Sequence, residues 1–288
     1  MIVLATYLTN TDELTQIASA IRRITNTNNT VKFPYVDTIN AIVAGNWKYD
    51  ANVLSPSQII DTDCTAIKSS AFSSCPSLTF VSFPSCSTIG SYAFFSCSSL
   101  KSVSFPACTT IGDSAFYYCS SLTSVNIPAC TTIGDYAFYS CSSLKSVNFP
   151  ACTTIGQRAF SLCMSLTSVN FPSCITIGSN AFNRCMSLTS VNFPACTTIG
   201  SYAFNTCRSL TSVSFPACTT IRSAAFENCE SLSVIYLAKN SVVTLTNRDA
   251  FFVTQIITTG SIRVPSNLVN SYKTATNWTY YSSRIFAI

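Results

Sequence analysis

The chain has 288 residues, of which 48% are hydrophobic and 9% are charged, and it contains 16 cysteines but no histidine. The lack of histidine excludes an imidazole base, a Ser-His or Cys-His nucleophile pair and histidine metal ligands. No apolar run approaches the roughly 18 residues of a membrane span, and the net charge of +5 comes from basic residues that are scattered along the chain and not grouped in a stripe. Neither membrane insertion nor nucleic-acid binding is therefore expected.

Residues 1–50 have the pattern of two short helices. Leu14, Ile17 and Ile21 recur at helical spacing, and a second apolar segment runs from Pro34 to Gly45, where a glycine fits the end of a helix. The repeats that follow need a polar cover at their open end, so we predict a helical N-terminal cap. The segment has neither a basic leader nor a long apolar stretch, and no signal peptide is expected in it.

From residue 51 to residue 240 the sequence repeats with a constant step of 22 residues. The dipeptide Ala-Phe places one phenylalanine in each unit, at Phe72, Phe94, Phe116, Phe138, Phe160, Phe182, Phe204 and Phe226. The cysteines form two columns with the same step, the first at Cys64, Cys86, Cys108, Cys130, Cys152, Cys174, Cys196 and Cys218, the second at Cys75, Cys97, Cys119, Cys141, Cys163, Cys185, Cys207 and Cys229. A period of this length predicts a solenoid of about eight coils, in which each unit buries its apolar face against its neighbours.

One unit, residues 122–143, shows the elements expected in each coil. Val125 and Ile127 alternate with polar residues, as in a short half-buried strand. Four apolar residues then have the spacing of one face of a short helical or 3-10 segment: Ile133, Ala137, Phe138 and Cys141. Asp135 follows Gly134 and is the residue type preferred at a helix N-cap. We therefore predict one strand and one helical segment per coil.

Residues 241–288 depart from the period and predict a mixed α/β C-terminal cap. Residues 261–265, which end in Pro265, have the pattern of a strand and a turn. Leu268 and Tyr272 suggest a helix after that turn. A closing segment follows, with its large apolar residues at Trp278, Tyr281 and Ile285.

The cysteines have three possible roles. A metal site needs paired Cys-x-x-Cys spacing or cysteine with histidine, whereas the intervals between the two columns are all 11 residues. A disulfide between stacked neighbours would have a suitable Cα separation of ~5 Å, but the two Cβ vectors would run parallel instead of converging. We therefore favour reduced thiols that fill two narrow columns of the core, with no metal, disulfide or cofactor.

Side chains that point outward vary between units, and they include the candidate binding residues. One group is aromatic and belongs to the segment predicted to be helical: Tyr92, Phe95, Tyr117, Tyr118, Tyr136, Tyr139 and Tyr202. In-register stacking would align Phe95, Tyr117 and Tyr139 in one row, with Tyr92 and Tyr136 beside it. Exposed aromatic patches mark interfaces. The alternative is that the rings cover the gaps between successive coils.

A second candidate group lies on the outward face of the predicted strands: Asn126, Asn148, Asn170 and Asn192. These amides form either a recognition face suited to protein or glycan, or a column that hydrogen-bonds along the stack. The carboxylates of the repeats also vary, and none has a partner at a spacing that suggests a shared cleft: Asp113, Asp135, Glu227 and Glu230. No enzyme activity is therefore expected.

The recurring pattern Cys-x-Ser-Leu-x-x-Val-x-Phe-Pro, followed by Ile-Gly-x-x-Ala-Phe-x-x-Cys, resembles the BspA-like class of bacterial leucine-rich repeats over roughly residues 54–237. The resemblance implies a repeat solenoid, a right-handed leucine-rich-repeat stack, that acts as a surface protein, adhesin or interaction module. Two departures are visible. The unit is one residue shorter than is usual in that class, and Cys108 and its equivalents replace an aliphatic residue.

The two ends carry weaker resemblances. Residues 1–50 resemble a module that precedes such repeats in Gram-positive gut bacteria and their prophages, and residues 264–278 resemble the C-terminal caps of similar proteins. The leading hypothesis is a non-enzymatic protein that binds a protein partner, with adhesion and a cell-surface location implied by the resemblance. A structural or receptor-binding component of a phage-related assembly and a glycan-binding module are the alternatives.

Overall fold

The computed structural model describes residues 58–288 of the chain. The helical cap predicted for residues 1–50 lies outside the described residues, as do the first residues of the predicted solenoid. In the described part no helix is long and apolar enough to cross a membrane.

Each coil contributes two short strands. The first set has three residues per strand: β1 (Gln58–Ile60), β3 (Phe80–Ser82), β5 (Ser102–Ser104), β7 (Ser124–Asn126), β9 (Ser146–Asn148), β11 (Ser168–Asn170), β13 (Ser190–Asn192), β15 (Ser212–Ser214) and β17 (Val234–Tyr236). The second set has two: β2 (Ala66–Ile67), β4 (Thr88–Ile89), β6 (Thr110–Ile111), β8 (Thr132–Ile133), β10 (Thr154–Ile155), β12 (Thr176–Ile177), β14 (Thr198–Ile199), β16 (Thr220–Ile221) and β18 (Thr244–Leu245). The sequence predicted the first set and missed the second, because two residues are too few for an alternating pattern.

All strand pairs between coils are parallel, and within the repeats they join residues one period apart. In β8 and β10, for example, Thr132 pairs with Thr154 and Ile133 pairs with Ile155. The nine two-residue strands from β2 to β18 form one continuous sheet. This register confirms the predicted solenoid and places equivalent side chains directly above one another.

The segment predicted to be helical is a series of turns, and this part of the prediction was wrong. The amides of Tyr92, Phe94 and Ser96 donate to carbonyls of the next coil at 2.9, 2.7 and 2.7 Å. The amides between them close local turns, as from Phe95 to the Tyr92 carbonyl at 3.1 Å. In a helix every one of these amides would bond within its own segment. Here alternate amides bond to the neighbouring coil, so the segment forms a third ladder along the stack.

Two residues of each turn segment have left-handed backbone conformation. In one coil they are Tyr136 at φ 57° and Ser140 at φ 58°, and neither is glycine. The predicted helix N-cap is also wrong, because the Asp135 carboxylate accepts from the Gln157 amide of the next coil at 2.7 Å. The pattern nevertheless identified the inward side chains, since Phe138 and Cys141 are fully buried.

Two columns of phenylalanine fill the core. In the Ala-Phe column the rings of Phe94 and Phe116 stack with centroids 5.2 Å apart and planes 1° apart. In the second column, which follows the three-residue strands, Phe83 and Phe105 stack at 5.4 Å. Rings of the two columns meet at larger angles, as between Phe105 and Phe116 at 60°. The core is therefore a set of like residues repeated along one axis.

The three-residue strands do not form one sheet, because pairing is interrupted between β7 and β9 and between β13 and β15. At the first interruption Ile127 stands in the phenylalanine column, so one ring of the stack is missing, and Val125 is only half-buried. At the second, the Phe193 and Phe215 centroids lie 6.2 Å apart, against 5.4 Å for the preceding pair, Phe171 and Phe193. The coils thus separate slightly on this side while the sheet of two-residue strands continues.

Beyond residue 240 the pairing continues into irregular structure. Strand β19 (Ser261–Val264) pairs with β17, and β20 (Ile285–Ala287) pairs with β19. Helix α1 (Val269–Thr274) lies between them in sequence, together with 3-10 helices at Ser266–Leu268 and Thr279–Arg284. Two further 3-10 helices, at Arg248–Phe251 and Gln255–Ile257, precede β19.

Three large aromatic residues cover the apolar end of the stack. Phe251 continues the Ala-Phe column at 5.6 Å from Phe226, and Tyr281 contacts its ring edge-on at 5.4 Å. Trp278 donates from its indole to the Val243 carbonyl at 2.7 Å. Tyr272 accepts from the Val243 amide at 3.0 Å. Burial of these rings is compatible with their polar atoms because each has a partner.

Close contact between coils explains why one position of the repeat holds glycine in six coils: Gly90, Gly112, Gly134, Gly156, Gly178 and Gly200. A Cβ atom at Gly156 would lie 2.6 Å from the Gly134 carbonyl carbon and 2.7 Å from the Asp135 nitrogen, both of them backbone atoms. Relief of that contact would require the two coils to move apart, and the neighbouring ladders oppose such a movement.

We expect Gly156→Ala to lower the free energy of unfolding by about 1–3 kcal/mol, the range for overpacking in a tight core. The measurement is equilibrium unfolding in urea. Gln157→Ala is the matched control, since that side chain is exposed and the substitution keeps the backbone amide that bonds to Asp135. Equal effects of the two substitutions would contradict the close-contact explanation.

Candidate functional site

Three aromatic rings on successive coils form a row on the outward side of the turn segments. The centroids of Phe95 and Tyr117 lie 5.1 Å apart with planes 7° apart, and those of Tyr117 and Tyr139 lie 4.7 Å apart, also at 7°. All three side chains are half-buried. The structure thus brings these residues together as in-register stacking predicts.

Three more tyrosines flank this row. The ring centroid of Tyr92 lies 5.9 Å from that of Phe95, and the ring centroid of Tyr136 lies 5.7 Å from that of Tyr139. On the other side, Tyr118 contacts Tyr117 edge-on at 4.7 Å. We call these six residues the aromatic patch: Tyr92, Phe95, Tyr117, Tyr118, Tyr136 and Tyr139. Tyr92 and Tyr118 are each 48% exposed, so the patch faces solvent.

An arginine side chain lies at the edge of the patch, at a position that the sequence analysis did not include among the binding residues. The Arg158 guanidinium carbon is 5.7 Å from the centre of the Tyr136 ring, within the range of a cation–π contact. Partial burial, followed in importance by the neighbouring Tyr139 hydroxyl, raises the pKa of Tyr117. The sequence feature that could have indicated this contact is the replacement of Tyr136 by Arg158 at the equivalent position of the next coil.

The patch has a defined end along the stack. After Tyr139 the same position holds Ser161, which is buried. It then holds Asn183, whose amide donates to Asn205 at 3.1 Å, and Asn205 in turn donates to Glu227 at 2.9 Å. One column is therefore aromatic in three coils and becomes a polar ladder in later ones.

Tyr202 does not join the patch. It is 42% exposed, and within the described residues no ring contact involves it. Asn180 and Ala224 occupy the equivalent positions on the two adjacent coils. The aromatic candidates therefore divide into one cluster of six and one separate ring.

The asparagine column of the strand face is hydrogen-bonded along the stack. Asn170 donates to Asn148 at 2.7 Å, and Asn192 donates to Asn170 at 2.6 Å. Asn126 donates to the Ser104 hydroxyl at 3.2 Å. This arrangement is the structural alternative considered for these amides, and it occupies part of their hydrogen-bonding capacity. The asparagine side chains remain near the surface, but their amides hydrogen-bond mainly to one another along the stack.

A second exposed aromatic site lies at the last strands, and no sequence pattern indicated it. Tyr236, Arg263 and Phe286 are neighbours across β17, β19 and β20. The Arg263 guanidinium lies 5.4 Å from the centre of the Phe286 ring and donates to the Ala287 carbonyl at 3.1 Å. The site is smaller than the aromatic patch and has two rings instead of six.

Each cysteine column has its own hydrogen-bond geometry. In the first column the thiol donates two residues ahead in its own coil, as from Cys152 to the Thr154 carbonyl at 3.3 Å. In the second it donates to the preceding coil, as from Cys163 to the Phe138 carbonyl at 3.2 Å. All 16 are free and buried. These thiols fill space in the core and supply one donor to the backbone.

Burial opposes ionisation of most of the thiols, although a hydrogen bond with the Cys64 side chain lowers the pKa of Cys86. Burial raises the pKa of Cys152 to about 11 and that of Cys163 to about 12. Metal binding and disulfide exchange both require the thiolate. Over the described residues, moreover, no group of three cysteine, aspartate or glutamate side chains is placed to hold a metal ion.

Alkaline pH should destabilise the fold. A buried thiol keeps its proton in the native state up to its raised pKa, whereas in the unfolded chain it ionises near its ordinary value of 9. At pH values above 9 the unfolded state therefore binds fewer protons than the native state. The stabilising contribution of the buried Cys152 thiol is complete below about pH 9 and is lost towards about pH 11. The expected loss is about 1.4 kcal/mol per pH unit for each such thiol.

Urea unfolding at several values between about pH 8 and pH 10 measures this slope. Cys152→Ala should reduce the slope by the contribution of one thiol, even though it lowers stability at every pH. A free energy of unfolding that stays constant over this range would contradict the burial of protonated thiols.

Solved structures of other repeat proteins are similar to the chain. A leucine-rich cell surface protein of Faecalibacterium prausnitzii is 22% identical, with a TM-score of 0.45 over 82% of this chain and 88% of that one. A leucine-rich repeat protein of Eubacterium ventriosum is 19% identical, with a TM-score of 0.41 over 72% and 84% of the two chains. No curated protein is significantly similar in sequence.

The family comparison is decisive. The chain matches the BspA type leucine rich repeat region in 6 copies, over residues 65–185 and 153–280. These ranges together span 216 of the 288 residues, and they coincide with the coils described above. The chain belongs to the BspA-type leucine-rich repeat family, whose fold generally serves as a non-enzymatic scaffold for protein–protein interaction.

Proposed function

We propose that the chain binds a protein partner through the aromatic patch and acts in adhesion. The observation that carries the proposal is the cluster of six aromatic side chains that the stack holds together at the surface. Tyrosine and arginine are enriched among residues that dominate binding energy at interfaces. The patch also contains both types, because Arg158 lies over Tyr136.

Rigidity adds to the suitability of this surface. Each ring of the row packs against its equivalent one coil away, at 5.1 Å for Phe95 and Tyr117 and 4.7 Å for Tyr117 and Tyr139. Backbone ladders fix the coils beneath them, so little side-chain freedom is left to lose on binding. Lower ordering cost leaves more of the contact energy for affinity.

The ring orientation favours a protein over a glycan. Sugars stack on the faces of aromatic rings, but neighbours in the row cover both faces of Tyr117 and one face each of Phe95 and Tyr139. The row therefore presents mainly edges and hydroxyl groups to a partner. The strand face is the weaker candidate for either ligand, since its asparagine amides bond to one another.

Serine substitutions in the row test this proposal. We expect Tyr117→Ser and Tyr139→Ser to weaken partner binding by about 30-fold or more, the loss of about 2 kcal/mol that defines a dominant interface residue. Tyr202→Ser is the matched control, because that ring is similarly exposed but stands apart from the patch. The measurement is quantitative capture of partner proteins by wild type and variants, with melting curves for each.

Unchanged capture by the row variants, together with lower melting temperatures, would contradict the proposal. The rings would then serve the scaffold by covering the gaps between coils. Equal loss of capture with Tyr202→Ser would also contradict it, because the effect would not be specific to the patch.

A further inference from the structure

Two phenol rings in the aromatic patch belong to different coils and are nearly parallel. Tyr117 and Tyr139 have centroids 4.7 Å apart and planes 7° apart. The rings occupy equivalent positions of successive coils, so their ring atoms are related by nearly the same translation. The carbon atoms next to each hydroxyl therefore face one another at about the separation of the centroids.

We propose that Tyr117 and Tyr139 are a site of oxidative cross-linking, at which a dityrosine bond joins two successive coils. The oxidant is hydrogen peroxide acting through a haem peroxidase, a one-electron oxidant of phenols. Each tyrosine loses one electron and one proton to give a neutral phenoxyl radical. The two radicals couple between ring carbons ortho to the oxygens.

The atoms and electrons of this step balance. After coupling, each ring moves its ortho hydrogen to oxygen and regains aromaticity, so both hydroxyls are restored. The net change in the protein is the loss of two hydrogen atoms and the gain of one carbon–carbon bond. The two electrons and two protons reduce one hydrogen peroxide to two water molecules.

The geometry favours this pair over the other tyrosines. The other inter-coil tyrosine contacts of the patch are longer and not parallel: Tyr118 and Tyr139 have centroids 6.0 Å apart at 84°, and Tyr117 and Tyr136 have centroids 6.4 Å apart at 48°. Among the described residues, the other tyrosine pair with ring contact outside the patch, Tyr280 and Tyr281, is adjacent in sequence, and Tyr281 is buried. Tyr117 and Tyr139 combine proximity, parallel rings and an origin in different coils.

The cysteines do not compete effectively for the oxidant. Thiols are ordinarily more readily oxidised than phenols, but every cysteine here is buried in the core. The patch, in contrast, faces solvent. Two rings held in contact also react as an intramolecular pair, which raises their effective concentration far above that of rings on separate molecules.

Peptide mass spectrometry provides the test. The purified chain, free of added reductant, is treated with hydrogen peroxide and peroxidase, and the monomer is isolated and alkylated in denaturant. Cleavage before aspartate and after lysine puts Tyr117 and Tyr118 on peptide 113–134 and Tyr136 and Tyr139 on peptide 135–145. The expected product is these two peptides joined, lighter by two hydrogens than their sum, with dityrosine fluorescence in the monomer fraction.

Phenylalanine substitutions assign the bond to individual residues. Tyr117→Phe and Tyr139→Phe keep the stacked ring but remove the phenol, and each should abolish the joined peptide. Tyr118→Phe, Tyr136→Phe and Tyr202→Phe should leave its yield within about twofold of wild type. The site does not depend on partner binding, so the result is independent of the proposed function.

Two outcomes would overturn the proposal. One is a monomer fraction without the joined peptide, with dityrosine found only in dimers. The other is a joined peptide that persists in Tyr117→Phe or Tyr139→Phe, since the bond would then involve Tyr118 or Tyr136.

Discussion

Backbone hydrogen bonding between coils, in register at a step of one repeat, is the constraint on which the rest of the structure depends. Three ladders run along the stack: the two-residue strands, the three-residue strands with their two interruptions, and the turn segments, where for example Phe94 donates to Ala115 at 2.7 Å. The short distance between hydrogen-bonded coils limits which side chains each position of the repeat can accommodate. It brings Gly156 too close to the neighbouring backbone for any side chain, stacks the phenylalanine rings, and leaves narrow columns that cysteine fills as a protonated thiol. The high cysteine content and low charge of the chain follow from the repetition of one 22-residue unit.

The same constraint acts on the surface, where the sequence is free to vary. An outward side chain has its equivalents on the adjacent coils as nearest neighbours, so a change in one coil alters a local patch and leaves the scaffold intact. Aromatic residues in three consecutive coils give the row of Phe95, Tyr117 and Tyr139, and amides in later coils give the ladder that ends at Glu227. Binding and oxidative chemistry are both proposed at the aromatic patch because the stack holds its rings in fixed contact.

Sequence patterns predicted the repeat, the inward residues and the aromatic row, because all three depend on spacing alone. They did not predict the backbone of the turn segments. Tyr136 has a left-handed conformation at φ 57°, which costs a residue other than glycine roughly 1–2 kcal/mol, and bonds to the next coil compensate for a cost that local preference would avoid. The interruption between β7 and β9 has a visible cause in Ile127. The interruption between β13 and β15 has no such cause, because the phenylalanine column is complete there, with both Phe193 and Phe215 present. The contact of Arg158 with Tyr136 depends on side-chain orientation, which a single sequence does not specify.

The central claim is that every coil is held by ladders to its neighbours, and hydrogen exchange of backbone amides tests it most directly. The amides of Phe94, Phe116, Phe138 and Phe160 donate to the following coil at 2.7, 2.7, 2.7 and 2.8 Å. Residue-resolved exchange should show strong and similar protection at these four positions, recurring with the period of the sequence, because exposure of any one of them requires adjacent coils to separate. Rapid exchange at these amides, or protection without that period, would contradict the account.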